Sequence, residues 1–400
     1  MRLAIFSRPP FPDKSGGQKR AHQLLESISG NCDIIILNPF PKKQHEIQFM
    51  FKNSAKNLYI FNHTKLHMFL GLVTSAFLCK WYTPINVRLY FNLKAYFIIR
   101  NGNYNDIICN NIRTSPYPTK AKKLYVDFVD CISANYINAA LTSRNILTKI
   151  MYRIESILTR RYEKFILSKS YKAFSVSNVE SKALSFRSYK VNTIPVFVDD
   201  IKKSTTEYER DKTKDKINHT SNKLVIGFLG KMDYEPNLKA VIWFIDKVLK
   251  KIPEEKLELR IIGGSVPKAI INKTSSNRNI IILGWIEKIQ YELKKCDVLI
   301  APMQSGSGLQ TKILDYLQTD KIILCNQRSL NGFDCLPRLR NFFILDDPND
   351  YNKTIEKIIQ NKRNGVFNNE NEILQERREY LFRSFAKEVI LKKWKAQLEI

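Results

Sequence analysis

Short apolar runs rich in β-branched residues alternate with helical patterns along the whole chain. This alternation restricts the fold more than any other feature. RLAIFS (2–7), DIIILN (33–38), NLYIFN (57–62), DIICN (106–110), LYVDF (124–128), YKAFSVS (171–177) and NTIPVF (192–197) each read as a short buried strand. A second series follows: LVIGFLG (224–230), LELRIIGG (257–264), NIIILGW (279–285), DVLIAPM (297–303), KIILCN (321–326) and NFFIL (341–345). Helical patterns lie between them, notably over 237–252, 287–295 and 309–318. Near-continuous apolar strands separated by helices are what a parallel sheet covered on both faces requires.

Between the two series, 201–222 is polar, charged and almost free of apolar residues, the composition of a surface linker. The expected fold class is α/β: a doubly wound Rossmann-like domain over 1–200, a linker over 201–222 and a second such domain over 223–380. The closing stretch, 371–400, reads as one long charged helix with a stripe of Leu374, Leu381, Phe385, Val389 and Trp394. No repeat at a solenoid period is present.

Composition narrows the class further. The chain has 400 residues, and at roughly 150 per domain two or three domains are expected. With 44% hydrophobic residues, only 14 Gly and 15 Pro, it can build a core, which excludes wholesale disorder and collagen-like scaffolds. The formal charge of +27 draws the protein to anionic partners and says nothing of fold. Abundant Lys, Asn and Ile also accord with an AT-rich genome. Seven scattered cysteines without a C-x-x-C pair, and five histidines, argue against a disulfide framework and a zinc site. No metal ligand set is expected, and a reducing cytosol is the natural compartment. The start lacks a signal-peptide core. The longest apolar stretch, 66–79, is about 14 residues against the roughly 20 a spanning helix needs.

In open parallel sheets ligands bind beyond the carboxyl ends of the strands. After the first strand come Gly16 and Gly17, just before a helix expected near Gln18. Glycines let a backbone approach a ligand, and a helix N-terminus attracts anions, so ligand contact is expected there; the alternative is a plain tight turn. The loop is not a G-x-G-x-x-G fingerprint, which weakens a dinucleotide reading. The strongest local signal is 297–326. A strand ends at Pro302, and Gly306-Ser307-Gly308 then opens a helix whose stripe is Leu309, Ile313 and Leu317. Successive amides there can cradle phosphate oxygens, with the helix dipole adding positive potential. Gln310 and Lys312 add donors. A cation in a first turn opposes the dipole unless it faces an anion. Asp315 can accept from ribose hydroxyls; the alternative is a surface ion pair with Lys312, worth little.

GFLGKMDYEPNLKAVIWFIDKVLKKI (227–252), LRIIGG (259–264), ILGWIEKIQYELKKCDVLIAPM (282–303) and GSGLQTKILDYL (306–317) stand in a fixed order. Together they resemble the group 1 (family 4) glycosyltransferases, whose fold is GT-B: two Rossmann-like domains facing a cleft, with a closing helix that crosses back to the first domain, here 381–400. PPFPDKSGGQKRAHQLL near the start and LYVDFVDCIS in the middle are consistent with the family. The resemblance implies a nucleotide-diphosphate sugar donor on the second domain, an acceptor on the first, usual retention of configuration, and no metal or cofactor. Helix N-termini and basic side chains would then neutralise the leaving diphosphate, on which charge grows as the bond breaks.

Carried over by position, Lys231, beside Gly230, stands where the family often has an arginine on the diphosphate; the charge stays but the bidentate fork is lost. The family's lysine about five residues on falls near Pro236-Asn237, so that cation is missing and Lys312 is the expected replacement. Of the family's two glutamates eight apart, the second matches Asp315 and the first falls on Ser307. Gly306, Ser307, Gly308, Leu309 and Gln310 are then the donor-binding loop, with Gly16, Gly17 and Gly230 beside it. In the first domain Asp130 is the expected sugar contact, with Asp127 and Ser133 nearby; the alternative for Asp130 or Ser133 is a helix cap. TIPVFVDD (193–200) lacks the family's glycine turn, and no site is drawn from it.

The implied function is a hexosyltransferase-like, metal-independent glycosyltransferase acting on a glycan or lipid-linked glycan in bacterial surface polysaccharide or lipopolysaccharide synthesis. Alternatives are a GT-B nucleotide-sugar epimerase and a basic nucleic-acid-binding protein. For the latter no basic run interleaved with aromatics is present, so nucleic acid is not an expected partner. Finally, 144–172 reads as an amphipathic helix with Leu147, Ile150, Met151, Ile154, Leu158 and Phe165 on one stripe and Lys149, Arg153, Arg160, Arg161 and Lys164 mostly away from it. A core-facing stripe with a solvated basic face is the usual case. The alternative is peripheral contact with the anionic inner face of the cytoplasmic membrane, to which 66–82 and 92–100 offer a second surface.

Overall fold

A computed structural model describes residues 1–11, 16–28, 30, 32–39, 43–80, 82–117, 120–143, 145–198, 223–274, 277–306, 308–333, 336–364 and 370–400. The expected linker at 201–222 therefore lies outside the described residues. The chain divides into two units, Met1–Phe197 with Glu388–Ile400, and Val198–Lys387.

The strands of the first unit are β1 (Arg2–Phe6), β2 (Asp33–Asn38), β3 (Leu58–Asn62), β4 (Asp106–Asn110), β5 (Lys123–Val129), β6 (Lys172–Ser175) and β7 (Asn192–Thr193). They form one parallel sheet in the order β3-β2-β1-β4-β5-β6-β7. β7 is shorter than the run 192–197 suggests, because Pro195 has no N–H to extend a ladder. The helices are α1 (Gly16–Ile28), α2 (Gln44–Phe51), α3 (Lys65–Leu78), α4 (Ile85–Arg88), α5 (Leu93–Asn101), α6 (Ile132–Thr142), α7 (Ile146–Lys169) and α8 (Asn178–Leu184). Alternate strand residues feed opposite faces: Leu3 and Ile5 join one buried cluster, Ala4 and Phe6 the other.

In the second unit the strands are β8 (Leu224–Leu229), β9 (Leu257–Ile262), β10 (Ile280–Gly284), β11 (Val298–Ala301), β12 (Ile322–Cys325) and β13 (Phe342–Ile344). They too form one parallel sheet, ordered β10-β9-β8-β11-β12-β13. This is the doubly wound order, with its switch point between β8 and β11. The helices are α9 (Glu235–Lys247), α10 (Lys268–Thr274), α11 (Ile289–Lys294), α12 (Thr311–Leu317), α13 (Pro348–Arg363) and α14 (Glu370–Phe385); α15 (Lys387–Leu398) closes the chain.

The single closing helix expected over 371–400 is in fact two. Its break at Ala386 has no glycine or proline. A tertiary contact makes it: the Val198 N–H donates to Phe385 O at 2.8 Å, and Ala386 forms a parallel bridge with Val198. Beyond the break, Ile390, Trp394 and Leu398 are fully buried in the second cluster of the first unit. Arg20, fully buried on α1, holds Asp127 through both carboxylate oxygens at 3.0 Å, and its guanidinium lies 4.4 Å from the centre of the Trp394 ring. The closing helix thus packs on the first unit, around a buried ion pair.

Candidate functional site

At the switch point of the second unit, β8 and β11 pair only through Val298–Ile226 and Leu299–Gly227. Beyond that the two strands part. The hydroxyl of Tyr316, fully buried on α12, occupies the gap: it accepts from the Leu229 N–H at 2.9 Å and donates to Ile300 O at 3.1 Å. α12 is thereby fixed against both strand ends by a residue that the sequence reading did not single out.

The β8 strand leads into Gly230 and Lys231. A Cβ on Gly263 would lie 2.0 Å from Gly230 O, so the β8 and β9 ends meet backbone to backbone there. Lys231 is exposed and pairs with Asp233 at 2.8 Å. Its carbonyl accepts from Asn237 Nδ2 at 2.9 Å. Asn237, on α9, in turn accepts from Lys312 Nζ at 2.6 Å. Lys312 is buried, with Met303 Sδ at 3.5 Å and the Phe228 ring centre at 4.1 Å. Burial pulls its ammonium down to about 7, and the Asp315 carboxylate only partly offsets this.

Lys312 therefore does not lie on the surface with Asp315 as a loose ion pair. It holds Asn237, and through it stands beside the turn after β8. Asp315 stands one turn on, and its backbone carbonyl accepts from Gln290 at 3.3 Å.

The loop before α12 differs in detail from expectation. The helix begins at Thr311, not directly after Gly308, so Gln310 is its N-cap and Lys312 its second residue. Gly306 has φ 107°, a left-handed conformation that favours glycine. Gln310 is buried, and its Nε2 donates to Gly308 O at 3.3 Å. Leu309 is half-buried; Ser307 lies outside the described residues. Below the loop, Asn326 donates to Met303 O at 2.8 Å, and Arg377 of α14, fully buried, donates to the carbonyls of Thr319, Lys321, Arg340 and Asn341. Neither residue carries a motif that would have singled it out.

The expected residues of the first unit stand at the carboxyl end of its sheet. Gly16 opens α1, two residues earlier than expected, and a Cβ on Gly17 would meet nothing within 4 Å. Asp127 is committed to Arg20. Val129, a β-branched residue, sits at φ 66°, a strained conformation, and carries the chain over a register shift into Asp130. Asp130 accepts from Asn135 Nδ2 at 2.7 Å. It is not the helix cap: that position belongs to Cys131, which makes no side-chain capping bond. Nor is Ser133 a cap, for its hydroxyl donates to the buried Glu163 at 2.6 Å. Burial pushes the Asp130 carboxyl up, and the Arg113 guanidinium works against that rise.

Arg113 lies 5.3 Å from the centre of the Tyr90 ring, and His63 lies 4.5 Å from it. His63, which the sequence reading did not weigh, is buried, and neither ring nitrogen has a partner among the described residues. Burial, with His67 and Arg8 nearby, pulls it down to about 4. No group of three or more His, Cys, Asp or Glu side chains suited to a metal is found among the described residues.

This loop and its lysine lie within the stretch 223–361 that matches the family model Glycosyl transferases group 1. Residues 223–361 belong to the group 1 glycosyltransferases. The chain is also 23% identical over 351 residues to an uncharacterized 44.6 kDa protein in the cps region of Klebsiella pneumoniae, covering 82% of this chain and 84% of that one. Among solved structures, Anabaena HepE in complex with UDP matches over 100% of both chains at TM-score 0.60 and 11% identity. WaaG, a glycosyltransferase involved in lipopolysaccharide biosynthesis, matches over 99% of both at TM-score 0.62 and 10% identity. At such identities the likeness speaks for the fold, and the fold is GT-B. Gly230, Lys231, Asn237, Lys312 and Asp315 all fall in the matched stretch.

Proposed function

We propose that the protein transfers a hexose from a nucleotide-diphosphate sugar to a glycan or lipid-linked glycan acceptor, with retention of configuration and without a metal, in the synthesis of a bacterial surface polysaccharide. The observation that carries this reading is the chain Lys312–Asn237–Lys231 at the parted ends of β8 and β11. It sets a buried cation and a glycine-bearing loop at the switch point of a parallel sheet, where such folds take up ligands. Loop amides and the N-terminus of α12 supply donors to a diphosphate without a metal. That HepE was solved with UDP and with UDP-glucose, and that the Klebsiella relative comes from a cps region, agree with this substrate class.

In this mechanism the departing diphosphate gains charge as the glycosidic bond lengthens. The amides of Gly308, Leu309 and Gln310 and the Lys231 ammonium answer that charge. Lys312 acts chiefly by fixing Asn237 and, through it, the Lys231 carbonyl. Asp315 receives the ribose hydroxyls. Asp130, on the strained end of β5, is the carboxylate offered to the sugar.

Thermal-shift screening against a panel of nucleotide-sugars, followed by product analysis with and without acceptor, tests the reading. A ligand that binds only the folded state raises the melting temperature by mass action. One donor should stabilise the protein and yield a glycosylated acceptor. Conversion of the free donor to its epimer without acceptor would favour an epimerase. Salt-sensitive binding to random DNA with no nucleotide-sugar binding would favour a nucleic-acid protein.

A further inference from the structure

On one face of the first unit, α3 and α7 are turned the wrong way round for helices of a water-soluble surface. α7 packs inward through Glu155, Ser156, Thr159, Tyr162, Glu163, Ile166 and Leu167. Its stripe of large apolar residues points outward: Leu147 is 73% exposed, Ile154 54% and Ile157 56%. The core-facing stripe expected for this helix is therefore absent from its first half. α6 adds Leu141, 66% exposed, beside it. α3 repeats the inversion, burying Gly71 and Ser75 while Phe69, Val73 and Phe77 face solvent, the last at 86%. A Cβ on Gly71 would lie 2.4 Å from Phe91 O, so small residues set how closely α3 seats. The two helices are joined by α4, whose Asn86 N–H donates to Glu155 Oε1 at 2.8 Å and whose Ile85 is also exposed. A monomeric soluble protein rarely leaves a continuous apolar surface of this kind uncovered.

Charge chooses the occupant. Residues 58–105 contain Lys65, Lys80, Arg88, Lys94 and Arg100 and no Asp or Glu. On α6 and α7 the only acids are Glu155 and Glu163, both buried. By helical spacing Arg153 and Lys164 border one side of the outward stripe of α7, and Arg161 lies on it. An apolar strip bordered by cations and cleared of carboxylates fits the headgroup zone of an anionic bilayer. A second copy of a chain carrying +27 would bring like charges together around the same strip. No helix of the described residues is long and apolar enough to cross a membrane, so this surface would lie on the bilayer, not span it.

We propose that the outward apolar strip of α3, α4, α6 and α7, with its basic border, is a docking surface for an anionic lipid bilayer. On the transfer reading it would hold the first unit beside a lipid-linked acceptor. The surface stands on its own observations, independent of the transfer reading.

Co-sedimentation of the full-length protein with equimolar phosphatidylglycerol and phosphatidylcholine vesicles tests this, against vesicles of phosphatidylcholine alone. Binding should be strong to the first and weak to the second. The variant Leu147→Ser/Ile154→Ser/Ile157→Ser, altered only at exposed positions, should keep its circular dichroism and melting temperature and bind about tenfold less. Arg153→Glu/Arg161→Glu should lose the preference for the anionic lipid. Donor binding in solution should be unchanged in both. Equal vesicle binding by wild type and the serine variant would overturn the proposal. So would a wild-type dimer that binds no vesicles and that the serine variant turns into a monomer.

Discussion

Lys312 Nζ lies 2.6 Å from Asn237 Oδ1, tying the first turn of α12 to the helix after β8. The pair is buried, and Asn237 passes the constraint to the Lys231 carbonyl. Lys312→Met keeps the length of the side chain and removes the cation. We expect it to weaken nucleoside diphosphate binding tenfold or more, about 1.4 kcal/mol, with little change in secondary structure. Calorimetric titration with UDP and circular dichroism measure the two.

The same lysine gives a pH signature. Its folded value is about 7 against an ordinary 10.5, because burial disfavours the charge. Between these values the unfolded chain binds the proton and the folded one does not, so stability rises with pH across that window. The slope is at most about 1.4 kcal/mol per pH unit. The penalty is complete below pH 7 and gone above 10.5. Urea unfolding from pH 7 to 10 should show wild-type stability rising relative to Lys312→Met. Parallel profiles for the two would remove Lys312 as a buried titrating group.

Gly263→Ala puts a methyl group 2.0 Å from Gly230 O, at a φ of 147°. The β8 turn must shift. The expected cost is about 1–3 kcal/mol in denaturant unfolding, together with weaker donor binding. Gly17→Ala, where a Cβ meets open space, should leave stability within about 0.5 kcal/mol.

Arg377→Met removes the guanidinium that donates to four carbonyls of the second unit, of which Asn341 O keeps the Ile323 N–H. The bond to Thr319 O is buried, and a buried acceptor left unpaired costs about 1–3 kcal/mol before relaxation. The midpoint of urea unfolding should fall clearly. Arg377→Lys should recover only part of it, since one ammonium cannot span the positions of a planar fork.

Much of this arrangement was legible in the sequence. Runs such as DIIILN and DVLIAPM announce parallel strands, and their order places the ligand end at the residues after 229 and 301. The glycine loop and Lys312 stood out because a cation at a helix start is anomalous. What the sequence withheld was where the side chains go. Lys312 looked like a surface donor, yet Met303 and Phe228 enclose it, a consequence of how α12 is seated by Tyr316. The α7 stripe had helical spacing, but spacing alone does not say which face turns inward. Glu155 and Glu163 decided that by bonding Asn86 and Ser133 in the interior. The break at Ala386 likewise depends on a bridge partner, Val198, almost two hundred residues away.

Asp130→Asn retains an oxygen to accept from Asn135 and removes the negative charge. Transfer should fall by about tenfold or more while UDP affinity stays the same, since the residue is assigned to the sugar and not the nucleotide. Equal loss of both would assign Asp130 to folding instead.

The most direct test is a crystal structure of the protein with UDP bound. The account predicts the two phosphates against the amides of residues 306–310, with the Lys231 ammonium within ion-pair distance and the ribose beside Asp315. Phosphates bound away from that loop, with Lys231 and Asp315 making no contact, would contradict it.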